Sequence, residues 1–225
     1  MKAILKFIGT DFLILSCILL SCEKDLEKGT IADSEGNVYQ TVKIGGQWWM
    51  AENLKATKYN DSQIIPNVTD NAEWNTLTTA AYCWYNNDEA GYKNTYGALY
   101  NWYTVSSGRL CPIGWHVPSN SEWNALTESL GGETVAGGRL KETGTIHWNS
   151  PNAGATNVAG FTALPGGFRG SSGAFINVLL NGYWWSSTEF STEDAFRQSL
   201  DYNVSDFTRI NDIKIFGFSV RCLKD

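Results

Sequence analysis

Aromatic residues are set between glycines along most of the chain, as in GGQWWM, YGALYNWY, GYWWSST and IFGFSV. Large flat rings fill a core efficiently, while closely spaced glycines divide the backbone into short pieces joined by tight turns. The pattern predicts short strands and tight loops around a compact aromatic interior. There are 10 Trp, 10 Tyr and 22 Gly among 225 residues, so this applies to the whole molecule. That length suits one sizeable domain or two small ones, and no repeat or composition break demands two. A net charge of -6 argues against a nucleic-acid partner, which favours a basic face.

The N-terminus reads differently. Lys2 and Lys6 precede the apolar run FLILSCILL, Phe12 to Leu20. Such a run is too short to cross a bilayer as a helix and has the length of a signal-peptide core. Leu19-Leu20-Ser21-Cys22 then resembles a bacterial lipobox. On this reading residues 1–21 are a lipoprotein signal peptide and Cys22 carries the lipid anchor. Residues 22–28 form an acidic tether, and the domain occupies residues 29–225. Glu23-Lys24-Asp25-Leu26-Glu27 resembles the export signal of Bacteroidetes surface lipoproteins, although a generic solvated linker would look the same. The expected location is the outer membrane, lipid-anchored and facing outward.

Within the domain, Val38–Ile44 alternates and is joined by Gly45-Gly46 to Gln47–Met50, which predicts a hairpin. Residues 55–80 read as a long loop with a short helix near Glu73–Leu77, and Tyr82–Tyr85 as a strand. Tyr96–Val105 reads as a short helix and Arg109–Val117 as a broken strand. Ser119 and Glu122 have the spacing of a capping box, and Trp123, Leu126 and Leu130 follow as one apolar stripe. Gly131-Gly132 should end that helix. A second helix is expected near Val135–Lys141 and a short strand within Gly160–Pro165. Gly182–Thr188, Ala195–Tyr202 and Ile215–Cys222 are expected as successive antiparallel strands, with a turn at Asn211-Asp212.

Seven stretches in order carry a family resemblance: YQTVKIGGQWWMAENLKATKY, AYCWYNND, YGALYNWYTV, LCPIGWHVPSNSEWNAL, ATNVAGFTALPGGFR, GYWWSSTE and GFSVRCLKD. They are similar to the Fibrobacter succinogenes major paralogous domain family over roughly residues 30–225. That family is typically found on lipoproteins and secreted proteins and generally has no assigned biochemical activity. A more distant similarity links WHVPSNSEW and GFSVRC to the formylglycine-generating enzyme family. The resemblance implies an α+β, C-type-lectin-like fold: a small twisted antiparallel sheet, two main helices, long loops, and first and last strands side by side.

The same resemblance places the Cys111 strand beside the terminal one, which implies a Cys111–Cys222 disulfide and a free, buried Cys83. Export to an oxidising compartment permits such a bridge, although three reduced thiols would fit an anaerobic host. Two histidines without metal-ligand spacing speak against zinc, and no cofactor is expected. No serine or cysteine has the base and orienter that nucleophilic catalysis needs, and the reactive cysteine pair of the formylglycine-generating family is missing. The expectation is therefore a non-catalytic binding or adhesion module, with glycans the favoured ligand. The alternatives are a structural or protein-binding envelope component, and more remotely an uncharacterised enzyme. Trp48-Trp49 and Trp184-Trp185 are adjacent pairs whose members point to opposite faces of a strand. Trp49 and Trp185 are the candidate stacking rings, against the reading that all four rings are core. Asn87 and Asp88, in the turn Asn86–Glu89, are the polar candidates.

Overall fold

The computed structural model describes residues 26–225; the expected signal peptide, Cys17 and the expected lipidation site Cys22 lie outside the described residues. Its first elements are three antiparallel strands, β1 (Lys28–Ala32), β2 (Val38–Ile44) and β3 (Gln47–Met50). The Gly45-Gly46 turn joins β2 to β3 with both glycines at positive φ, 57° and 91°. A Cβ at Gly45 would lie 2.5 Å from that of Ser129, so the turn needs glycine for its space as well as its angle.

A long excursion follows: α1 (Asn71–Trp74), β4 (Tyr82–Cys83), a 3-10 turn at Tyr85–Asn87, α2 (Glu89–Tyr96), β5 (Leu99–Tyr100) and α3 (Trp102–Val105). Then come β6 (Trp115–His116), α4 (Asn120–Ser129) and α5 (Glu133–Leu140). The last part is strand-rich: β7 (Gly166–Arg169), β8 (Phe175–Val178), β9 (Asn181–Glu189), β10 (Asp194–Asp201), β11 (Phe207–Ile213) and β12 (Leu223–Lys224). The main sheet has the order β1-β2-β3-β12-β6, a second sheet the order β11-β10-β9, and β4-β5 and β7-β8 form two small pairs. The fold is mixed α and β, with small antiparallel sheets and few helices. β12 lies between β3 and β6 and not beside β1, so the expected neighbourhood of first and last strands is not present.

The capping box is formed as the sequence implies: the Ser119 side chain accepts from Glu122 N–H, and Glu122 Oε2 accepts from Ser119 N–H. Trp123, Leu126 and Leu130 are buried along the face of α4 that meets the sheet. Several expectations need correction. Tyr96–Val105 is not one helix. Gly97 ends α2 at φ 74°, and its backbone passes so near Leu54 that a Cβ would lie 2.6 Å from that carbonyl oxygen. The third strand beside β9 and β10 is Phe207–Ile213, not Ile215–Cys222. Asn211 and Asp212 sit inside it because Asp194 and Arg197 on β10 hold their side chains. Only Trp115–His116 of the expected 109–117 strand is paired. The 160–165 segment forms one bridge, at Ala163, with Thr162 at φ 53° breaking it.

Two large aromatic cores flank the sheets, and a third, smaller one gathers Val68, Trp74, Ala81, Cys83, Tyr85 and Leu99. One holds Tyr39, Met50, Tyr100, Trp102, Trp185, Phe218 and Val220, together with Cys111 and Cys222. The other holds Val42, Trp49, Trp123, Trp148, Phe161, Trp184 and Phe207. The Cys111–Cys222 disulfide is present and Cys83 is free and buried. The long loops carry carbonyls that cannot all pair with strands, and buried cations collect them. Arg221 donates to Asn53 Oδ1 and to the carbonyls of Phe161 and Thr162. Lys141 donates to Asp201 O and Val204 O, and Lys214 to Glu189 and to Thr192 O.

Candidate ligand-binding surface

Trp49 and Trp185 do not face solvent; both are 0 % exposed. The alternation argument fails because each strand has a core on both sides. On β9, Trp184 enters one core and Trp185 the other, and on β3 Trp49 and Met50 are divided the same way. Trp48 is the partly exposed member of its pair. Trp185 donates its indole N–H to Tyr100 O at 2.7 Å and lies 4.6 Å from Phe218, which is core packing.

The other two candidates do lie at the surface. Asn87 and Asp88 are exposed, at the junction of the 3-10 turn and α2. Asn87 adopts φ 57° and donates its amide to Thr69 O, tying the turn to the long loop. Asp88 caps α2, its Oδ1 accepting from Gly91 N–H at 3.0 Å. Among the described residues its Oδ2 accepts no hydrogen bond and is free to meet a ligand.

Beside them runs a ladder of rings that the sequence did not single out. Phe175 on β8 meets Tyr85 at 5.2 Å, Tyr85 meets Tyr92 at 5.0 Å, and Tyr92 meets Tyr96 at 5.8 Å. Tyr96 then meets His147 edge-on at 5.9 Å. Tyr85 and Tyr96 are buried, whereas Phe175, Tyr92 and His147 are half-buried, so the ladder reaches the surface at three rungs. Tyr92 and Tyr96 stand one helical turn apart on α2, and their i, i+4 spacing was the available signal. His147 Nδ1 donates to Glu142 Oε2 at 2.8 Å, which fixes the ring. Burial pushes the Tyr96 phenol up to about 12.

Two other places combine polar chemistry with access. His116 lies between Asp225, 2.5 Å from Nδ1, and Glu122, 2.9 Å from Nε2. Both ring nitrogens are occupied, so this group links structure and has no free lone pair for a reacting atom. An open groove of ≈ 390 Å³ lies between α5 and the 154–158 loop, lined by Val135, Arg139, Thr156, Val158 and Ser205. Its two hydroxyls are spent on the carbonyls of Gly138 and Ala153. Cys83 is no nucleophile: burial pushes its thiol up to about 12, despite the nearby Arg169. Among the described residues no group of three or more His, Cys, Asp or Glu is placed to hold a metal ion.

No curated protein and no solved structure matches the chain. A sequence model of the Fibrobacter succinogenes major domain matches residues 42–224, from within β2 through β12. The match takes in the disulfide, the aromatic ladder and, except for Tyr39, every core residue named above, and the chain belongs to the Fibrobacter succinogenes major domain family.

Proposed function

We propose that the protein is a lipid-anchored, non-catalytic binding module of the outer cell surface, and that it takes glycans on the face formed by α2, β8 and His147. The observation that carries the reading is the ladder surfacing at Tyr92, Phe175 and His147 beside exposed Asn87 and Asp88. Rigid rings offer sugar faces apolar area at little entropic cost, and adjacent carboxylate, amide and imidazole groups answer their hydroxyls. The lipobox at Cys22 and the acidic tether supply the anchor and the location.

The fold is read as a variant of the C-type-lectin-like architecture. Two main helices, long loops and the pairing of β6 with β12 support it. A protein-binding or structural envelope role is the second reading. It is favoured by the burial of nine of the ten tryptophans, which leaves few large rings for sugars.

The test is a glycan array and polysaccharide pull-down with the purified protein, run with calcium and with chelator. Saturable binding that falls at least tenfold in Tyr92→Ala and Phe175→Ala supports the glycan reading. Unchanged binding in both variants refutes the site. No binding across a broad panel refutes the ligand class and leaves the protein-binding role.

A further inference from the structure

We infer that the free edge of β11 is a homodimer interface, at which two copies pair antiparallel about a two-fold axis through Ile210. This goes beyond the glycan reading and uses a different surface. β11 has β10 on one side, and among the described residues no strand or bridge occupies the other. The remaining edges are less available. β4, β5 and β6 have two residues each, β8 has four and β1 five, and the far sides of β7 and β9 are bridged by Gly217 and Ser219.

Natural edge strands are commonly blunted by charges or proline. β11 carries two charges, and both are committed within the chain. Arg209 Nη1 donates to Asn124 Oδ1 on α4, and Asp212 accepts from Arg197 Nε on β10. What the strand offers instead is Ile210 and Ile213, each 45 % exposed. Lys214 N–H donates to Glu193 O, so alternation turns the backbone of Asp212, Ile210 and Thr208 toward β10. The N–H and C=O groups of Arg209 and Asn211 therefore face outward, ready to pair.

The sequence of the strand selects the partner and the register. A two-fold axis perpendicular to the sheet must pass through a residue, so that residues of like parity oppose each other. An axis at Arg209 sets that guanidinium against its own copy. One at Asn211 sets Ile210 against Asp212 and Arg209 against Ile213. With the axis at Ile210, Ile210 meets Ile210, Thr208 meets Asp212, and Arg209 meets Asn211 through the outward backbone groups. No like charges then face each other across the strands.

This register makes Ile210–Ile210 a non-hydrogen-bonded pair with Cα atoms about 4.5 Å apart, a separation a disulfide can span. The experiment uses the full chain in its membrane. Ile210→Cys should give a disulfide-linked dimer on mild oxidation, and Ser172→Cys, exposed at the β7–β8 turn, should not. In detergent the unsubstituted protein should sediment with twice the mass of the chain. Ile210→Lys, which places two like charges on the axis, should reduce it to a monomer with an unchanged far-UV circular dichroism spectrum and a melting temperature that no longer depends on protein concentration. A monomeric unsubstituted protein overturns the inference, as does equal cross-linking at positions 210 and 172. Glycan binding by the α2 face is read separately, and its presence or absence leaves this outcome unaffected.

Discussion

The guanidinium of Arg169 lies 4.4 Å from the ring centroid of Trp74, with both side chains fully buried. Its nitrogens donate to Val68 O, Thr69 O and Gly173 O and to Asn71 Oδ1, so one side chain ties β7 to the long loop and α1. Arg169→Met keeps volume but leaves those oxygens unpaired away from water. Urea unfolding should show a loss of about 3 kcal/mol or more, with little recovery in Arg169→Lys, whose point charge cannot match a planar fork.

The Cys111–Cys222 bridge closes a loop between residues separated by 111 positions. Long closed loops remove much entropy from the unfolded chain. Replacing both cysteines by alanine should lower unfolding free energy by about 2–5 kcal/mol. The unsubstituted protein in reductant should move the same way, and no shift in either would exclude a stabilising role.

His116 links β6 to the α4 cap and to Asp225. Burial pulls its pKa down, but hydrogen bonds to Asp225 and Glu122 outweigh that and leave it raised above its ordinary value. A raised folded-state pKa means that the protonated form is preferentially held by the fold. The stabilisation is fully present below the unfolded value of about 6.5 and is lost as pH rises through the higher folded value. The melting-temperature difference between the unsubstituted protein and His116→Gln should therefore shrink from pH 6 toward pH 9. A difference that grows would reverse the assignment.

Trp185 and Tyr92 should separate stability from recognition. Trp185→Ala removes a ring from the core and leaves Tyr100 O without its donor, at a cost of about 3–5 kcal/mol. Tyr92→Ala, at a half-buried position, should cost about 1 kcal/mol and act on glycan binding. Calorimetric melts alongside binding curves distinguish the two; a ligand-specific defect in a fully folded Trp185→Ala protein would contradict the assignment of that ring to the core.

Local signals were legible in the sequence. The β2–β3 hairpin, the α4 capping box and its apolar stripe follow from neighbours within a few residues, and the structure forms each of them. Long-range circumstances were not legible. Alternation along β9 showed that Trp184 and Trp185 diverge, but not that a core waits on both sides. Asn211 and Asp212 look like a turn until Asp194 and Arg197 are known to lie opposite. The ladder joins Phe175, Tyr85, Tyr92, Tyr96 and His147 from four separate segments, and only the Tyr92–Tyr96 spacing is local.

The position of β12 bears on when the fold can close. The strand that lies between β3 and β6 is synthesised after every other strand of its sheet. Until residues 222–224 emerge, β3 and β6 have no common neighbour and Cys111 has no partner. A chain made N-terminus first therefore cannot complete its main sheet until β12 is available.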